Sequence, residues 1–332
     1  MKPFWKEKWF IPLLWLILIH WIGLLYTPDL SLGLKLAKKT HYWLLAFVLT
    51  SLPFFRFNTE NFIKAYLTGL TAGSLYLLFI VLFSPKLIYK LYKMHITFAL
   101  LLVLGILILS YYFLRTKKWY FRGIIIFLFF IFLSILILSR GKTGYVTLIA
   151  SFPIIFYNIF RKNYFKIILI TMLSIIVFIS LPPVKKIIKL AITYESKRMK
   201  RYVGTFGERI YMLKVTMNIF KKCPILGGGT GSFPKYAEKF KPKKTLPNFS
   251  QPHNSYLYLL GSFGILGLIP FLWLLYLMFK TGIKHYHNPI GFFIFAFTLV
   301  FSIGSLGDSI IISHATCILF GLTIGLQSFF KK

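Results

Sequence analysis

Carboxylates are scarce in this chain: seven Asp and Glu stand against 40 Lys and Arg in 332 residues. That scarcity argues against hydrolysis by a pair of carboxylates. Charged residues of every kind make up only 14%, well below the roughly 25% of a soluble domain, which excludes an ordinary soluble protein. The two cysteines, Cys223 and Cys317, form no CxxC and have no metal spacing. One falls in a long polar loop and the other in a late apolar run, so no disulfide is expected. No histidine pair stands at ligand spacing with a carboxylate, and no metal site is expected. Internal repeats and inverted pairs of broken helices are also missing, which weakens a transporter reading.

What is present is apolar: 57% of residues are hydrophobic and 37 are Phe. Runs near the 20 residues of a membrane span fall at about 9–26, 41–55, 62–83, 95–114, 121–138, 144–160, 164–183, 253–279, 290–306 and 309–330. The expected fold is therefore an all-α, polytopic integral membrane protein with about ten transmembrane helices (ten to twelve) and one long outer loop containing amphipathic helices. Three regions follow: N-terminal spans over 1–183, the loop over 184–252 and C-terminal spans over 253–332. No cleavage site follows the first run, which reads as a retained span. The formal charge of +33 sits between apolar runs, where it suits lipid headgroups and topology rather than nucleic acid; some of these cations could instead hold an anionic substrate. With the N-terminus inside, the inner segments carry about 16 Lys and Arg and the short outer connections about 8, so the positive-inside rule turns the long loop outward.

The loop carries the candidate chemistry. Its first part, VKKIIKLAITYESKRMKRY over 184–202, reads as a basic amphipathic helix on the membrane surface, with Val184, Ile187, Ile188 and Ala191 on one face. Thr205 and Glu208 then form a capping box that starts a helix running to Lys222, stopped by Pro224. Ile210, Leu213, Met217 and Phe220 are expected to dock it. Arg209 lies in its first turn, where a cation opposes the helix dipole unless an anion is near. It is a candidate phosphate ligand, or a partner of Glu208 or Glu195. PILGGGTGS at 224–232 lacks the Gly-Lys-Ser/Thr of a Walker loop and is either a weak phosphate cradle or a tight turn.

Pro252-His253-Asn254 opens the eighth run, which places His253 in a first helical turn at the membrane surface. There it is either structural or a general base for an interfacial hydroxyl. Gly261, Gly264 and Gly267 shape the helix that follows for close packing. Arg140, in Ser139-Arg140-Gly141 at the outer end of the fifth run, is either a snorkelling arginine or a third member of a site on the same side.

The order of these elements resembles the O-antigen ligase and polymerase superfamily of bacterial envelope glycan enzymes. The likeness rests on Ser139-Arg140-Gly141, Glu208-Arg209, Pro224-Ile225-Leu226-Gly227-Gly228-Gly229 and Pro252-His253-Asn254-Ser255-Tyr256, followed by three spans, over roughly 120–330. It implies a metal-independent, inverting glycosyltransferase without cofactor, in the bacterial inner membrane with its site facing the periplasm. The donor would be an undecaprenyl-diphosphate-linked glycan. The acceptor would be the lipid A core in a ligase, or another lipid-linked glycan in a polymerase. By position Arg140 and Arg209 match the family's diphosphate-binding arginines, and His253 its loop-end histidine. The rival from another class is a transporter of lipid-linked glycans, which usually keeps ionisable groups within its spans; here only Asp308 and a few histidines come close.

Overall fold

The computed structural model describes residues 3–51, 59–83, 88–139, 141–160, 163–182, 184–185, 205–240 and 248–330. Among them every regular element is helical, and no strand occurs. In chain order the α-helices are α1 (Phe10–Ile22), α2 (Leu30–Lys39), α3 (Leu45–Ser51), α4 (Thr59–Phe83), α5 (Ile88–Arg115), α6 (Trp119–Leu138), α7 (Lys142–Phe160), α8 (Tyr164–Ser180), α9 (Thr205–Lys222), α10 (Phe233–Lys239), α11 (Ser255–Lys284), α12 (Pro289–Gly307) and α13 (His314–Leu326). Five of these, α4, α5, α6, α11 and α12, hold stretches long and apolar enough to cross a membrane. Shorter apolar segments at Phe10–Ile22, Phe165–Ser180 and His314–Phe330 accompany them. The chain is an all-α polytopic membrane protein. The expected second span divides into a 3-10 turn (Thr40–Leu44) and α3. The amphipathic helix expected at 184–202 lies almost wholly outside the described residues.

The chain folds into two compact units that interleave along the sequence. One comprises Asn58–Leu190 and His285–Gly304. Its centre is α5, whose Leu102, Val103, Leu104, Ile106 and Leu107 are all buried. Small residues bring helices against it: Gly105 faces Leu70 of α4 and Phe132 of α6, and Gly144 of α7 lies over Ala99. In a membrane, where water does not drive helices together, such close packing supplies much of the association. Apolar side chains such as Phe127, Phe130, Leu173 and Val177 point outward, as a lipid-facing surface requires.

The other unit comprises Met1–Phe57, Ala191–Lys284 and Ser305–Lys332. Here α1 packs along α11, and α3 with its preceding turn packs on α13, where Gly321 and Gly325 admit the backbone of Tyr42, Trp43 and Ala46. The loop has a core of its own: Tyr211, Met212, Val215 and Ile219 of α9 pack with Phe233 and Ala237 of α10 and with Phe249. Helix α9 is described from Thr205 onward, the residues just before it lying outside the described ones, and it presents a different face from the one expected. Tyr211, Met212, Val215, Thr216 and Ile219 are buried, whereas Leu213, expected to dock, is 43% exposed. The sequence of α9 is apolar on more than one side. The buried face packs on the loop core, with Thr216 against the bare backbone of Gly261.

Candidate functional site

The site is built where the loop meets a broken helix. At Gly264, α11 leaves helical geometry (φ 59°, ψ −149°), a region open to glycine and closed to other residues. In an unbroken helix the amides of Ile265 and Leu266 would donate to the carbonyls of Gly261 and Ser262. Instead they donate to Pro224 O and Ile225 O at 3.0 and 3.4 Å. The two carbonyls set free accept from Gly228 N and Gly229 N at 2.8 and 2.9 Å. Four groups released by the break therefore find four partners in the PILGGG stretch. Backbone polar groups inside a membrane protein need such pairing. The limb beyond the break, 265–284, is by itself about the length of a span.

Glycine is needed at this crossing for space as well. A Cβ at Gly227 would lie 2.4 Å from Ser262 C and Phe263 N, and one at Gly229 2.9 Å from Gly23 O. The next residue pins the loop to the first connection. Thr230 N and Oγ1 donate to Gly23 O and His20 O, and Thr27 Oγ1 donates to Thr230 O. Because the amides of Gly227, Gly228, Gly229 and Thr230 all donate to backbone carbonyls, the glycine run is a packing turn. It does not form the phosphate cradle that was the alternative.

His253 stands just ahead of α11 rather than in its first turn. Asn254 takes the cap, its Oδ1 accepting from Leu257 N at 2.9 Å. Asparagine is among the strongest capping residues, so it overrides a start at Pro252. His253 is left in the left-handed region (φ 46°), alone among the described non-glycine residues. Strain of this kind persists where surrounding contacts fix it, and it concentrates at functional positions. The contact that fixes it is with Asp308: Nδ1 of His253 lies 2.8 Å from Asp308 Oδ1. An ionised carboxylate only accepts, so Nδ1 carries the proton and donates; in the neutral imidazole Nε2 then keeps its lone pair. The imidazole is 41% exposed and the carboxylate 18%.

The short break between α12 and α13 is held from several directions. Arg209 Nη2 donates to Gly307 O at 2.9 Å, the last carbonyl of α12, where a cation suits the helix dipole. Asn254 Nδ2 donates to Leu306 O, Asn254 N to Ser309 Oγ and Ser255 Oγ to Asp308 O. Ser309 N donates to Asp308 Oδ1 at 2.9 Å. Arg209 and His253 are thus tied to consecutive residues, Gly307 and Asp308, whose Cα atoms are about 3.8 Å apart. Two of the three expected site residues are brought together. Arg140 lies outside the described residues; its neighbours end α6 at Leu138 and begin α7 at Lys142.

Asp308 is the member that sequence reasoning did not place. Its signal was available, since it is the sole carboxylate after Glu238. It sits 55 residues from its partner, beyond any local pattern.

Residues 125–272 match the family model described as O-antigen ligase. The matched segment includes Arg140, Arg209 and His253 and ends before Asp308. No curated protein sequence matches the chain.

Proposed function

We propose, from the match of residues 125–272 to the family model described as O-antigen ligase, that the chain is a member of that superfamily and moves a glycan from undecaprenyl diphosphate to an acceptor sugar. The acceptor is the lipid A core, in the manner of a ligase, and the site faces the periplasm from the inner membrane. The observation that carries this reading is the contact of His253 with Asp308 beside Arg209. In the proposed step Nε2 of His253 takes the proton of an acceptor hydroxyl while that oxygen attacks the anomeric carbon. The bond from this carbon to the diphosphate oxygen breaks, and undecaprenyl diphosphate leaves. A single displacement from the opposite face inverts the anomeric centre.

Each residue answers one need of that step. A sugar hydroxyl is a weak nucleophile, and a positioned base contributes typically ~10²–10⁴-fold. Asp308 keeps the imidazole in the productive tautomer and balances the imidazolium that forms, the part a carboxylate plays behind histidine bases generally. Arg209, with Arg140, stabilises charge on the departing diphosphate. One hydrogen bond to Gly307 leaves a five-donor guanidinium ample capacity for phosphate oxygens.

The test is transfer by purified protein in detergent, without a sealed membrane, from a lipid-linked glycan to lipid A core. His253→Ala should lose most transfer while retaining the donor, and His253→Gln should not restore it. Full activity of the alanine variant would remove His253 from the reaction. Elongation of the lipid-linked glycan, with the core unmodified, would replace the ligase by a polymerase.

A further inference from the structure

A cavity of about 170 Å³, lined by both charged and aromatic side chains, opens in the loop. Its walls include Asp29, Tyr211, Lys235, Glu238, Asn248 and Phe249. Tyr211 and Phe249 belong to the loop core, and their rings lie 5.8 Å apart at 45°. Asp29 comes from the first connection, where its Oδ1 also caps α2 by accepting from Leu32 N at 3.0 Å. Lys235 and Glu238 come from α10.

The composition of this wall is unusual for the chain. Two of only seven carboxylates meet one of 40 cations, so the lining carries a net negative formal charge in a strongly basic chain. A diphosphate or an anionic headgroup would meet net repulsion there. A lipid tail would have to desolvate three charged side chains. What fits is a neutral molecule that presents several hydroxyl donors and an apolar ring face. Carboxylates accept from vicinal hydroxyls, and the aromatic pair supplies apolar surface.

We infer that this cavity is a saccharide subsite that holds the acceptor glycan next to the transfer centre. The inference rests on the transfer reading above and adds to it where the acceptor sits. The chain itself sets the proximity. Phe249 precedes His253 by four residues, a reach of at most about 14 Å, and Tyr211 follows Arg209 by two. A sugar held between α9, α10 and Phe249 therefore has its neighbouring residue within range of the His253 imidazole.

The probe is dephosphorylated, delipidated core oligosaccharide, with binding to the full-length protein in detergent measured by saturation-transfer NMR and calorimetry. Glu238→Gln and Asp29→Asn each remove a charge; Glu238 is exposed and asparagine still caps α2, so both variants should fold. Each should weaken oligosaccharide binding about tenfold, as expected for a charge-assisted hydrogen bond. Donor binding should be unchanged. Equal binding by wild type and both variants, or no binding by wild type, overturns the subsite and leaves the transfer reading standing. Inorganic diphosphate that binds more tightly to Glu238→Gln and is lost in Lys235→Ala would make the cavity an anion site and overturn the sugar assignment. Loss of oligosaccharide binding in the two variants, with transfer intact in His253→Ala, would sink the base assignment and keep the subsite.

Discussion

Replacing Gly264 by alanine tests the idea that the site depends on a helix deliberately broken. The residue's φ and ψ of 59° and −149° cost a non-glycine residue about 1–3 kcal/mol. The added Cβ would also stand 2.3 Å from Pro224 O and 2.5 Å from Ile225 O. Both are backbone atoms, so relief requires the PILGGG stretch to retreat. Retreat weakens the two bonds accepted by those carbonyls and the two returned by Gly228 and Gly229. At about 1 kcal/mol net for each of two to three bonds lost, the total is about 3–6 kcal/mol. Thermal unfolding of purified protein in detergent, followed by tryptophan fluorescence, is the assay. Gly69→Ala and Gly123→Ala are the comparators. Both lie within helices with open space where a Cβ would go, and each should be neutral or up to about 1 kcal/mol stabilising. If Gly264→Ala unfolds with wild type and the comparators, the break is not what holds the loop, and the four-bond exchange carries no stability.

Three further outcomes follow from the site and the loop core. Asp308→Asn keeps the volume but loses the charge and the tautomer control behind His253, and transfer should fall by up to about 10⁴-fold, as for the carboxylate behind a histidine base, with donor affinity retained. Arg209→Lys keeps the charge but loses the planar fork, so donor affinity, read as the dissociation constant for the lipid diphosphate, should drop about tenfold. Burial raises the Tyr211 phenol above its ordinary value, and its hydroxyl donates to Ala237 O. A raised folded value favours the neutral form, so this contribution is complete below about pH 10 and is lost as pH climbs through the raised value. Tyr211→Phe should flatten that alkaline loss of stability in thermal unfolding.

The parts of the molecule written in local pattern were legible in its sequence. Apolar runs gave the helices, and the Pro224 stop gave the end of α9 at Lys222. What escaped were pairings between distant segments. The glycines at 227–229 and at 261 and 264 announce close approach, but nothing local says that they approach each other across more than 30 residues. The face of α9 was misread for a related reason. Two stripes compete on it, and the partners of the buried one, Gly261, Phe233, Ala237 and Phe249, lie on other segments. His253 was displaced from the helix by one better cap, Asn254. Its partner Asp308 is visible only as an acid in a region otherwise without one.

Pairings within each unit also bear on how the chain crosses the membrane. Number the connections between the ten expected spans in order. The first connection bonds to the seventh, Tyr26 Oη donating to Leu226 O and Thr27 Oγ1 to Thr230 O. It also meets the segment after the ninth, where Lys39 Nζ donates to Ile312 O. His253, closing the seventh, pairs with Asp308 in the ninth. In the other unit the end of the fourth run meets the eighth connection, Tyr111 Oη donating to His287 O at 2.5 Å. Odd connections thus meet odd ones and even meet even. An error of one span between any of these partners would force hydrogen-bonded residues onto opposite faces of the bilayer. Single cysteines introduced at Lys35, Ser250 and His287 in a Cys223→Ser background, with Cys317 buried, turn this into a measurement with an impermeant thiol reagent on intact spheroplasts. Lys35→Cys and Ser250→Cys should label together, and from outside if the lysine and arginine bias sets orientation. His287→Cys should label only after lysis. Labelling of all three from one side would break the alternation and, with it, the ten-span order.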